Sequence, residues 1–67
     1  MYELKIKKFR TQKKLTQKQL GELAQVSRNY ISELENDKYY PTIDVLIRIC
    51  VALEVDPNSI VGWETAS

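Results

Sequence analysis

The 67 residues contain no histidine, one cysteine (Cys50), two glycines and two prolines. Each scarcity removes a class of chemistry. Without histidine there is no imidazole to serve as a general base near neutrality, and no cluster of other metal-ligating side chains takes its place. A single cysteine cannot close an internal disulfide, and no glycine-rich loop is present to cradle a nucleotide phosphate. An enzyme would be left with Glu33 or Glu35 acting without a partner, so catalysis, a cofactor, a metal and a small-molecule substrate are not expected. Long apolar runs are also missing. Arg48 and Glu54 interrupt the most apolar region well short of the roughly 20 residues that cross a bilayer. Lys5, Lys7, Lys8 and Arg10 break up the N-terminus before it becomes the apolar core of a signal peptide. The expectation is one small soluble domain over residues 1–67, located in the cytoplasm and without a membrane partner.

What is present is a lopsided charge. The formal net charge is only +1, but residues 1–38 carry nine Lys or Arg against five acids, a net of +4. Residues 39–67 carry one Arg against four acids, a net of −3. The basic half is where a polyanion would be met.

Helix punctuation falls in that same half. Thr16 is a good N-cap, and Gln19 three residues on completes a capping box. Leu20, Leu23 and Ala24 follow on one face at helical spacing, and Gly21 permits close approach of another helix. Ser27 caps a second segment that turns Ile31 and Leu34 inward, with Val26 as an apolar anchor ahead of them. Arg28, Asn29, Ser32, Glu33 and Asn36 are left facing out. Two helices with a start signal before each and a short connection, about residues 16–36, form the layout of a DNA-reading helix-turn-helix. Tyr2, Ile6 and Phe9 predict a preceding helix that ends near Lys13. After a loop over 37–41, Thr42 caps a fourth helix with a core stripe of Val45, Leu46, Ile49, Cys50 and Leu53. Asp56 and Pro57 start a short fifth that Ile60, Val61 and Trp63 complete. The fold class expected is all-α, a compact five-helix domain without strands.

These residues resemble the Cro-like (Xre-type) helix-turn-helix family of phage repressors and small bacterial regulators. The likeness covers roughly Ile6 to Ile60. It rests on Ile6, Phe9 and Arg10, then Leu15-Thr16-Gln17, Gln19-Leu20, Leu23-Ala24 and Val26-Ser27-Arg28, followed by Tyr30-Ile31-Ser32, Leu34-Glu35-Asn36, Pro41 and the stretch from Leu46 to Leu53. Lys14, Gln25 and Asp37 depart from it, standing where the family commonly has glycine. Left-handed backbone at such positions costs a residue with a Cβ about 1 kcal/mol or more.

The resemblance implies a sequence-specific transcriptional regulator that binds double-stranded DNA at a pseudo-palindromic operator. A homodimeric repressor is the favoured form, with activation left open. In that scheme Arg28, Asn29, Ser32 and Glu33 read base edges in the major groove. Gln17 at the start of the second helix, with Ser27, Tyr30, Asn36 and Lys38, contacts phosphates. Arg10 and Glu35 form a structural ion pair. Lys5, Lys7, Lys8, Lys13 and Lys14 make a solvated face that attracts DNA from a distance. Tyr39 and Tyr40 either stack on sugars or support their loop, and Ile60, Val61 and Trp63 either close the core or form a dimer surface, the latter preferred. A chain ending so soon after the fifth helix leaves no expected room for a sensing domain. The alternative is a protein-binding module such as an antitoxin with secondary DNA binding.

Overall fold

A computed structural model describes the backbone of residues 2–38 and 40–63, and side chains from Leu4 to Val61 except Tyr39. Among the described residues five helices follow one another: α1 (Ile6–Gln12), α2 (Gln17–Ala24), α3 (Arg28–Glu35), α4 (Ile43–Leu53) and α5 (Pro57–Ile60). Four of the five start at a side-chain cap. Thr16 Oγ1 accepts from the Gln19 amide at 3.0 Å while Gln19 Oε1 accepts from the Thr16 amide at 2.8 Å. Ser27 Oγ accepts from the Tyr30 amide at 3.0 Å, Thr42 Oγ1 from Val45 at 3.3 Å and Asp56 Oδ1 from Asn58 at 2.8 Å. Each cap satisfies a first-turn amide that the helix itself leaves without a partner.

The helices close on one core. Ile6, Leu20, Ile31, Leu34, Ile49, Leu53 and Ile60 are fully buried, with Ala24, Leu46 and Cys50 beside them. Phe9, Val26, Tyr30 and Val45 pack around this cluster, half-buried. Helix α2 packs on both α3 and α4, which makes it the spine of the domain.

The expected five-helix architecture is present, with two corrections. The first helix begins at Ile6, not near Tyr2. Residues Tyr2–Leu4 instead form a strand, β1, paired antiparallel with β2 (Val61–Trp63) in the register Tyr2↔Trp63, Glu3↔Gly62, Leu4↔Val61. The Lys5 amide continues the pairing onto the Ile60 carbonyl at 2.8 Å. Strand-favouring Tyr2, Val61 and Trp63 serve this ribbon, whose pairing satisfies backbone groups that a helix extended by one turn would have satisfied internally. The second correction concerns Leu23, which is exposed although its spacing matches Leu20 and Ala24. The buried face of α2 is centred on Leu20, Gly21 and Ala24, and Leu23 falls on its flank.

Candidate nucleic-acid interface

Gly21 sets the geometry of the two-helix unit. A Cβ at this position would stand 2.7 Å from the Val26 carbonyl oxygen and 3.4 Å from the Arg28 amide nitrogen. Only glycine lets the turn between α2 and α3 lie so close to α2. The turn reverses through Gln25, held at φ 60°, ψ 41° in left-handed backbone. Lys14 (φ 59°) and Asp37 (φ 58°) adopt the same conformation, so the three departures from glycine keep the turn geometry and accept its cost. Glu54 (φ 57°) is a fourth such residue, which its sequence context did not signal.

At 100° per residue, Asn29, Ser32 and Glu33 lie on the side of α3 opposite the buried Ile31 and Leu34. Arg28 and Glu35, seven residues apart, share the flank that faces α1 and the start of α2. Arg28, Asn29, Ser27, Asn36 and Lys38 are exposed, and Ser32 and Glu33 are half-buried. Tyr30 is half-buried against the core on the opposite flank, so its ring is a packing element. Ser27 accepts as the α3 cap, which leaves its hydroxyl proton for an outside acceptor.

Glu35 ties three helices together. It accepts from Arg10 Nε at 2.7 Å and from Arg10 Nη2 at 3.1 Å, and Gln17 Nε2 donates to its Oε1 at 3.1 Å. Arg10 Nη1 in turn donates to the Leu15 carbonyl at 2.8 Å, pinning the α1–α2 turn. The Gln17 side chain is thereby held in place, with one amide hydrogen still available to an outside acceptor. Beside this network lies an open cleft of about 540 Å³ lined by Arg10, Lys14, Thr16, Gln17, Lys18 and Arg28 among its residues. Sequence spacing gives Lys18 no role and puts Lys14 only on the face that attracts DNA from a distance. Their convergence depends on the left-handed turn at Lys14, which no periodicity reports.

The surface thus presents the exposed guanidinium of Arg28 and amide of Asn29 on one helix, beside a cationic cleft at the N-terminus of another. That arrangement suits a polyanion with readable edges. The family model described as helix-turn-helix matches residues 6–60, the span of α1 to α5. The chain belongs to the helix-turn-helix family. Its relatives include the immunity repressor protein of Bacillus phage phi105, 43% identical over 61 residues, or 91% of this chain and 42% of that protein. The ImmF control region 10 kDa protein of the same phage is 36% identical over 53 residues, 79% of this chain and 59% of that one. The chain therefore spans about half the length of these phage relatives. Among solved structures, this helix-turn-helix domain superposes on the P22 c2 repressor protein in complex with a synthetic operator. The TM-score is 0.78 at 29% identity, over 82% of this chain and 83% of that one.

Two assignments need correction or stand apart. Ile60 is wholly buried and so offers no dimer surface, while Val61 packs half-buried on the core. The Trp63 side chain and Tyr39 lie outside the described residues. Tyr40 is exposed in the loop before α4. No helix among the described residues is long and apolar enough to cross a membrane.

Proposed function

We propose that this helix-turn-helix chain is a sequence-specific transcriptional repressor that binds a pseudo-palindromic DNA operator as a homodimer. The observation that carries this reading is the exposed N-terminal half of α3, with Arg28 and Asn29 beside the cationic cleft. Its phage immunity repressor relative and the operator complex of its structural neighbour support the same reading. Helix α3 enters the major groove N-terminus first. Arg28 suits the two acceptors of guanine, Asn29 the donor and acceptor of adenine, and Glu33 the amino group of cytosine. Gln17, Ser27, Asn36 and Lys38 hold phosphates and set the register. Repression follows from occupying the operator against RNA polymerase.

The homodimer of this reading draws on α4 in place of Ile60 and Val61. Ile43, Ile47 and Val51 recur every four residues and are 74%, 44% and 72% exposed. Selection from random duplex DNA at near-physiological salt tests the proposal. Inverted half-sites with centres about 10 bp apart are expected in the enriched pool. A pool that stays random overturns it in favour of a protein-binding module.

A further inference from the structure

Arg48 is poorly served within its own chain. One end of its guanidinium, Nη2, lies 3.5 Å from Asp44 Oδ2 one turn earlier on α4, longer than a good charge-assisted hydrogen bond. Its Nε is buried without a hydrogen-bond partner, the only side-chain atom in that state among the described residues. A covered donor without an acceptor is a standing cost, which the side chain sheds by turning outward to a better one. The Asp44 carboxylate, meanwhile, is exposed. Both residues stand along one flank of the exposed row Ile43, Ile47 and Val51, on the side of α4 away from the buried Leu46, Ile49 and Leu53.

An apolar row edged by one anion and one cation a turn apart is complementary to itself. When two such helices meet antiparallel across a twofold axis, each flank meets the same flank of the other copy in reversed order. The anion of each copy then faces the cation of the other, so one pairing is made twice. We propose that α4 packs antiparallel on the α4 of a second copy, centred near Ile47, with Asp44 of each chain paired to Arg48 of the partner subunit. The inference rests on the homodimer reading and gives it a polarity, a register and a polar contact that the apolar row alone leaves open. In this arrangement Arg48 exchanges the long contact within its own helix for an intersubunit carboxylate. Ile43 of each copy covers the far end of the other's row, at Val51.

The test is a charge swap read by sedimentation of the full chain over a concentration series, beside the wild type. Asp44→Arg makes the flank wholly positive and Arg48→Asp makes it wholly negative, so either variant alone sets like charges against like. Each is expected to weaken self-association by about tenfold or more. An equimolar mixture of the two is expected to recover association as a mixed dimer, identified by its mass in native mass spectrometry. Recovery in the mixture also excludes a damaged fold, since a misfolded chain could not restore its partner. A dimeric wild type whose variants associate equally well, or whose mixture fails to recover, overturns the α4 register and leaves the homodimer to another surface. A wild type that stays monomeric throughout the series overturns the homodimer reading itself, so the two failures are distinguishable.

Discussion

Glu35 grips Arg10 with both carboxylate oxygens, at 2.7 and 3.1 Å, across 25 residues of chain, and the two side chains are only 4% and 11% exposed. Charges this far out of water are stable only in each other's company. Glu35→Ala is expected to cost about 3 kcal/mol in chemical denaturation, because Arg10 is left nearly buried and unpaired. Replacing both residues by apolar ones, Arg10→Met with Glu35→Leu, is expected to restore much of that loss. Since Glu35 also holds Gln17, the restored double variant should still bind DNA more weakly than the wild type. Equal binding would show that the Gln17 contact needs no support from Glu35.

Gly21→Ala separates helix propensity from packing. Alanine favours a helix interior by about 1 kcal/mol over glycine. Its methyl carbon would stand 2.7 Å from the Val26 carbonyl, which belongs to the backbone of the turn and must move. The clash is expected to prevail, with a net loss of about 1–3 kcal/mol and weaker operator binding as the start of α3 shifts. A stabilised Gly21→Ala protein would mean that the turn has room that the geometry denies.

The left-handed residues predict the opposite sign. Gln25→Gly and Glu54→Gly relieve backbone held at φ 60° and 57°. Gln25→Gly is expected to stabilise the domain by about 0.5–1 kcal/mol, less whatever entropy glycine adds to the unfolded chain, and Glu54→Gly by less, because it also removes the exposed 2.6 Å ion pair with Lys13. Thermal denaturation of the two single variants checks this. A fall in Tm for both would place the turns elsewhere in backbone space.

Cys50 is 2% exposed, and burial first, then the Asp56 carboxylate, push its thiol above the ordinary range. The folded state therefore holds this proton more tightly than the unfolded chain. The resulting stability is fully present below the ordinary thiol pKa and is lost as pH rises through the folded value. Iodoacetamide at about pH 8 is expected to label the native protein only as fast as it unfolds. Rapid labelling of native protein would show the Cys50 thiol to be accessible in the folded state.

The parts of the fold written in local chemistry were legible in the sequence. Thr16, Ser27, Thr42 and Asp56 mark the helix starts because a cap needs only a side chain and an amide a few residues away. The β1–β2 ribbon was not legible, because its partners lie about 60 residues apart and three residues carry too little alternation to identify a strand. Leu23 shows the limit of spacing, which places a residue on a helix face without saying how wide the buried sector is. The exposed face of α3 followed from Ile31 and Leu34 alone. The cationic cleft did not, since Lys14, Lys18 and Arg28 meet only after the left-handed turn at Lys14 has brought the end of α1 against the start of α2.

If the N-terminal half of α3 reads bases, Arg28→Ala removes the side chain best suited to guanine. Its affinity and that of the wild type would be measured on the selected operator and on a random duplex at one fixed salt concentration. A loss of about 1–3 kcal/mol on the operator with little change on random DNA is expected. An equal loss on both would make Arg28 a phosphate contact, and no loss on either would remove the N-terminus of α3 from the interface.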